Sequence, residues 1–354
     1  MATEYNRIGL DLGTKTIVCA IRSGDGRLTF RKEINGFFVF PKKDAFTRNM
    51  LVKQKIPFIE RDGRFIALGS RAEQFAYAIN STLRRPMAEG TVSREQEAIN
   101  IMASIVQALI GKLEKDTILY YCIPANALNK QTNVQYHDKV ARLIFDSYKR
   151  SEVTINAYSI NEARAIAIGS DEPLAVAISW GAGMINTCYT MFGVPIFEFS
   201  LVGSGDWIDT EAAKQFGYNP DNPTQKSQET PTSICHRKHD IDLTVPLKEA
   251  NRVDQAIMLH YQLLIENVIN GIINGFESNI DKARIEQPVP IIMAGGTASP
   301  VGFKEYFTQI LNNHTLPFEV SEVKLSPKPL FAVAEGCLVA AEMHEVEESE
   351  EAEG

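Results

Sequence analysis

The sequence predicts an α/β protein made of two related halves, and three observations carry that reading. Arg7 to Arg22 reads as strand, turn and strand: Ile8, Leu10 and Leu12 alternate at the two-residue period of a pleated strand, and Ile17 to Ile21 form a β-branched run beyond the turn. Leu174 to Tyr189 repeats the unit, with Gly181 falling 168 residues after Gly13. Helical spacing completes the class. Ile99, Met102, Ala103, Val106, Leu109, Ile110 and Leu113 form one apolar stripe between two strand-like segments.

Composition sets the bounds. At 354 residues, with 44% hydrophobic and 23% charged side chains, the chain is long for one core and comfortable for two domains. The net charge of −8 is mostly local, because Glu345, Glu347, Glu348, Glu350, Glu351 and Glu353 crowd the end and read as a self-repelling, disordered tail. The remaining body has no basic excess, which argues against direct contact with nucleic acid. Cys19, Cys122, Cys188, Cys235 and Cys337 lack CxxC spacing and read as reduced thiols. The first residues have no apolar signal core, and no run approaches the roughly 18 apolar residues of a membrane span. A cytoplasmic location is expected.

Taken in order, a turn at Ser23 to Gly26 leads to a third strand, Arg27 to Phe30. Ile34 to Phe40 is a dense apolar patch before a polar connection, Pro41 to Lys55. Two readings of the patch stand: a strand packed in the core, or a loop touching a membrane or a neighbouring subunit. Lys55 to Ala67 reads as strand, turn at Asp62-Gly63 and strand, and Ser70 to Tyr77 as a short helix. Ser93 with Gln96 matches a capping box for the helix that follows. Thr117 to Ile123 is a buried-type strand stopped by Pro124; a polar helix from about Asn129 to Ser147 leads to a strand at Val153 to Ala157. Ser159 to Gly169 is alanine-rich and ends on a glycine suited to a helix C-cap, with Glu162 in the first turn.

In the second half, Leu174 to Ser179, Met184 to Tyr189 and Val194 to Phe199 read as strands, and Trp207 to Phe216 as a helix. Cys235, His236 and His239 lack the second cluster needed for a four-ligand zinc site and read as loop residues. Leu247 to about Ala283 is mostly helical, with a break expected near Gly271 or Gly275. Val289 to Met293 is a buried strand running into Ala294 to Thr297, and Pro300 to Leu311 and Leu330 to Met343 read as helices.

The chemistry concentrates in the turns. Gly13 lets the backbone approach a ligand closely, and successive amides through Thr14, Lys15 and Thr16 can converge on an anion. Asp11, just before the turn, is placed to meet a hydrated cation on that anion. Gly181, Ala182 and Gly183 offer a second such turn, so a ligand between the halves would be gripped at both ends. A metal-bound polyphosphate has that chemistry. Glu162 keeps two readings, as half of a capping box with Ser159 or as a reacting group.

The order of these motifs resembles the actin, sugar-kinase and heat-shock-chaperone ATPase superfamily, and within it the bacterial actin homologues of the MreB and MamK type. Asp11 to Thr16 is similar to the first phosphate loop, Ile160 to Gly169 to the first connecting helix, and Ser179 to Gly183 to the second phosphate loop. Ala294 to Thr297 resembles the adenosine loop, and Ala334 to Gly336 the second connecting helix. Arg85 to Val92 and Cys122 to Ala125 are similar to segments of MreB-like proteins.

The resemblance implies the actin-like ATPase fold: two related domains, each a mixed five-stranded sheet flanked by helices, around a nucleotide cleft. Domain I is expected over 1–170, with a small inserted subdomain at about 31–85 and completion by 330–344. Domain II is expected over 171–329, and the acidic tail over 345–354. ATP or ADP with Mg²⁺ would lie between the hairpins, contacted by Gly13, Thr14, Lys15, Thr16, Gly181, Ala182, Gly183 and Gly205. Gly295, Gly296 and Thr297 would meet the adenosine, and Lys226 and Glu229 are candidates for the purine wall. Asp11 would hold the metal and Glu162 would align the attacking water. One departure stands out: where the family places an aspartate, this chain has Ser179, so slow hydrolysis is expected. The function implied is a nucleotide-dependent homopolymer, with a membrane or cargo adaptor as a further partner. A small-molecule kinase or phosphatase using Asp206 or Asp209 as base is the alternative, as is a nucleotide sensor deficient in hydrolysis.

Overall fold

The computed structural model describes residues 6–40, 43–79, 81, 83–93, 97–113, 115–146, 153–223, 225–279, 281 and 287–353, with side chains to 344. The opening hairpin forms as expected: β1 (Asn6–Leu12) and β2 (Thr16–Arg22) pair antiparallel, with Leu10 opposite Cys19, and β3 (Leu28–Ile34) continues the meander. The next three strands make a separate small sheet in the order β4-β6-β5, from β4 (Phe37–Val39), β5 (Phe58–Arg61) and β6 (Arg64–Leu68). Two short strands, β7 (Met87–Ala88) and β8 (Thr91–Val92), pair with each other. Then β9 (Thr117–Ile123) and β10 (Ile155–Asn161) extend the first sheet in parallel, giving the order β10-β9-β1-β2-β3.

The second large sheet repeats this plan strand for strand. From β11 (Leu174–Trp180), β12 (Met184–Met191), β13 (Val194–Val202), β14 (Val289–Ala294) and β15 (Val320–Leu325) it takes the order β13-β12-β11-β14-β15. Each sheet has two antiparallel pairings on one side of its first strand and two parallel pairings on the other. The internal repeat read from the two hairpins therefore extends to all five strands of each large sheet.

Helices cover both sheets. The small sheet carries α1 (Ala45–Lys53) and α2 (Gly69–Ala78), and the first large sheet α3 (Ala98–Ile110) and α4 (Val134–Asp146). Between the large sheets lies α5 (Glu162–Gly169). The second sheet is packed by α6 (Gly205–Lys214), α8 (Arg252–Ser278) and α9 (Phe303–Leu311), with α7 (Pro231–Asp240) alongside α6. The chain closes with α10 (Ala332–Glu353).

The two connecting helices change sides. Although α5 follows a strand of the first sheet, it packs on β11 and β12; α10 follows the second sheet and packs on β1, β2 and β9. They meet through a core of small residues, among them Ala163, Ala165, Ala167, Cys337 and Ala340. A Cβ built on Gly336 would stand 1.8 Å from the Ala165 carbonyl oxygen, so the crossing admits only glycine. Likewise a Cβ on Gly9 would lie 2.1 Å from the Ala334 carbonyl oxygen, which seats α10 directly on β1.

Several elements depart from the expected course. The apolar patch before Pro41 is core, since Phe37 and Phe40 are buried. The polar connection after it contains α1, started by the Asp44 carboxylate accepting from the Thr47 amide. The polar helix α4 begins at Val134 rather than near Asn129, because the Asn129 side chain pairs with Val202 in both directions, at 2.8 Å each way. Asn129→Ala is expected to lower stability by about 1 kcal/mol in urea unfolding, the net worth of exposed hydrogen bonds.

Ser159 and Ile160 belong to β10, so no Ser159–Glu162 box forms; the Asn161 carboxamide caps α5 by accepting from the Ala163 and Arg164 amides. Gly271 and Gly275 do not break α8. They give the rings of Phe199 and Phe197 room, since a Cβ at either would come within 2.6 Å of those rings. This is the one helix among the described residues with the length and composition of a membrane span, and it packs in the core. The capping partner Gln96 lies outside the described residues. The side chains of the acidic stretch 345–354 do too, although the α10 backbone is helical through Glu353.

Candidate functional site

The two glycine turns face each other. A Cβ on Gly183 would stand 2.7 Å from Thr14 Oγ1 and 2.5 Å from the Gly90 amide nitrogen. Residues 13–16 and 181–183, far apart in sequence, are therefore neighbours. The second turn is tied down by its carbonyls: the Gly181 carbonyl accepts from Ser204 Oγ and Thr297 Oγ1, both at 2.7 Å, and the Ala182 carbonyl from the Asp206 amide at 2.9 Å. A Cβ on Gly205 would approach Thr297 Oγ1 at 2.4 Å. The expected adenosine loop, the second turn and the start of α6 thus form one connected wall.

Gly295 has φ +104°, and a Cβ there would lie 2.2 Å from the Trp180 carbonyl oxygen. Only glycine permits that turn. Tyr261, buried in α8, donates its hydroxyl to the Thr297 carbonyl at 2.8 Å and fixes the loop from behind. Gly296 opens the short 3₁₀ turn Gly296–Ala298.

Asp11 and Glu162 lie on the inner side. Cys122 Sγ donates to Asp11 Oδ1 at 3.1 Å and accepts from the Leu12 amide at 3.3 Å, which fixes the carboxylate relative to the turn. Ser179 Oγ donates to Glu162 Oε2 at 3.0 Å. Burial pushes Asp11 up to about 6, the Cys122 bond opposing it. Burial, and then the charge of Asp11, push Glu162 up to about 8 against the Ser179 bond. Two half-buried carboxylates thus disfavour each other's ionisation, and among the described residues neither has an ion-pair partner.

That donor set fits a hydrated divalent cation. Among the described residues no group of three His, Cys, Asp or Glu side chains could cage a metal. Magnesium held chiefly through water and phosphate oxygens, with Asp11 as side-chain contact, needs no such cage. Lys15 fits the anion. Its ammonium donates to Cys235 Sγ at 2.8 Å, and burial, then Asp209, raise that thiol's pKa, so the partner is neutral. A half-buried cation paired to a neutral group has charge left for an anion.

Other expected residues stand apart. Lys226 is exposed on the loop before α7, and the Glu229 carboxylate accepts from Ser233 Oγ at 2.6 Å. Among the described residues neither is joined to the hairpins by a hydrogen bond or ion pair. Cys235, His236 and His239, read as loop residues, lie in α7, where His236 packs edge-on to Tyr77. Sequence reasoning assigned no role to Cys122, Arg85, Lys238 or Ser204. Lys238 is buried against Asp209 at 2.6 Å and donates to the Gly205 carbonyl at 2.5 Å. Their signal was proximity to recognised motifs, which does not specify a partner across the chain.

Comparison with known proteins bears on the fold. The MamK double helical filament has a TM-score of 0.67 at 17% identity, over 96% of this chain and 99% of that one. The ethanolamine utilization protein EutJ from Carboxydothermus hydrogenoformans has a TM-score of 0.53 at 13% identity, over 95% and 90%. At such identities the likeness concerns the fold, which is actin-like. No curated protein matches the sequence. Residues 7–341 match the family described as Volactin, a span holding both hairpins, both connecting helices and the loop at Gly295, and the chain therefore belongs to the Volactin family.

Proposed function

We propose that this protein is a cytoplasmic, actin-like cytoskeletal ATPase that binds ATP with Mg²⁺ and assembles into nucleotide-dependent filaments. The observation that carries the reading is the face-to-face approach of Thr14 and Gly183, which gives a polyphosphate one turn on each side. Magnesium, when bound, neutralises phosphate charge. Asp11 would orient the ion's water shell, Lys15 would supply a cation to the phosphates, and Glu162 would accept a hydrogen bond from the attacking water. The fold shared with the MamK filament supports self-assembly as the output.

Sedimentation and electron microscopy of the pure chain with Mg·ATP, Mg·ADP and no nucleotide test this. Filaments favoured by ATP are expected. Absence of both nucleotide binding and polymer would overturn the proposal. Ser179 keeps a second reading open, a nucleotide sensor, which binding without turnover or polymer would select. The kinase reading is weaker, because Asp206 is bridged to Arg85 and Asp209 to Lys238, leaving neither as a free base.

Hydrolysis is expected to be slow, since a hydroxyl at 179 supplies no charge to a metal. Ser179→Asp should raise turnover about tenfold, the effect of ~1.4 kcal/mol of transition-state stabilisation. An unchanged rate in a phosphate-release assay would tell against this explanation.

A further inference from the structure

The segment Arg85 to Val92 lies on the second glycine turn. A Cβ on Gly90 would stand 2.1 Å from Met184 Sδ, and the Gly90 amide crowds Gly183. At the head of the segment, Arg85 Nη1 donates to Asp206 Oδ2 at 2.7 Å. Asp206 is the second residue of α6, and its amide is bonded to Ala182 in the turn. One hydrogen-bonded residue thus separates the guanidinium from the turn expected to hold phosphate.

Lys15 reaches the same wall from the first turn through Cys235. Lys15 and Arg85 repel each other, and the Asp209 carboxylate attracts both. Asp209 is already paired with Lys238 and Asp206 with Arg85. Three cations (Lys15, Arg85 and Lys238) therefore face two carboxylates in a largely buried place. A guanidinium has five donors, and the bond to Asp206 is the one Arg85 makes among the described residues. The surplus positive charge and unused donors are what an oxyanion would satisfy.

We propose that Arg85 is a second phosphate-binding cation of this cleft, held in place by Asp206 and acting with Lys15 on the phosphates. The inference rests on the nucleotide reading above for the identity of the ligand, and on the charge cluster for the site. Asp206 is then a positioning residue.

The test is calorimetric titration of the full chain with Mg·ATP and, separately, with inorganic tripolyphosphate. Arg85→Gln is expected to weaken both ligands by roughly 10–100-fold, the range for hydrogen bonds to charged groups. Arg85→Lys should recover most of the loss, and Asp206→Asn, which keeps the cation but loosens its hold, should cost clearly less affinity than Arg85→Gln. Emission of Trp207, next to Asp206 in sequence, and ligand-free melting report whether each variant is folded. If Arg85 merely braces α6, Arg85→Gln and Asp206→Asn remove the same bridge and lose affinity equally, which overturns the proposal. Wild-type affinity in Arg85→Gln overturns it while leaving the nucleotide reading intact. Tripolyphosphate binding that depends on Arg85, without ATP binding, supports the site and sinks the nucleotide reading. Failure of the wild type to bind either ligand overturns both.

Discussion

Gly336→Val is expected to cost about 3 kcal/mol or more of stability and to lower the melting midpoint by roughly 6–12 °C. The new side chain would begin 1.8 Å from the Ala165 carbonyl oxygen, and the obstacle is backbone rather than the end of a flexible side chain. Either α5 or α10 must move, and each is seated on a sheet of the opposite half. Overpacking that a rotamer can relieve costs little; here no rotamer helps. Gly24→Val is the control, because nothing lies within 4 Å of a Cβ there. Denaturant unfolding of both variants checks the claim. Equal stabilities would mean that the helices do not cross at Gly336.

The ligand-free protein is expected to lose stability as pH rises from about 4 to 8. Burial raises Asp11 from 3.8 to about 6, and burial with the Asp11 charge raises Glu162 from 4.5 to about 8. A carboxyl whose folded pKa exceeds its unfolded value favours folding while protonated. Its contribution is therefore fully present below the unfolded value and is lost as pH climbs through the folded one. For Glu162 the loss by pH 7 has a ceiling of about 3 kcal/mol. Glu162→Gln should flatten the profile and be more stable than wild type at pH 8 but not at pH 4. Added Mg²⁺ should raise the midpoint more at pH 8 than at pH 5. Thermal melts across this range decide it: a wild-type profile that rises with pH there would refute the assignment of cause.

Much of this architecture was legible because its signals are local. Asp11, Gly13 and the alternating Ile8, Leu10 and Leu12 announce a hairpin within a few residues, and its recurrence at Gly181 announces the repeat. Strand β9 could be bounded to the residue, since Thr117 to Ile123 is buried-type and Pro124 ends it. The elements that escaped bury little. Leu51 is the buried residue of α1, Ile234 and Lys238 are those of α7, and β15 has no fully buried residue. A hydrophobic pattern cannot reveal a helix that barely has one. The start of α5 was misplaced for a different reason: Ser159 and Asn161 both suit a cap, and pairing of β10 with β9 through Asn161 decides between them. At the site, the motif residues could be listed from sequence, but their partners could not. The bonds from Lys15 to Cys235 and from Arg85 to Asp206 span 220 and 121 residues.

The exchange of α5 and α10 between the sheets has a mechanical corollary. A chain that passes once between two bodies leaves them free to twist and splay. This one passes out through α5 and returns through α10, and the two passages touch at Gly336. Two passages in contact therefore restrain relative twist of the two large sheets more than either would alone.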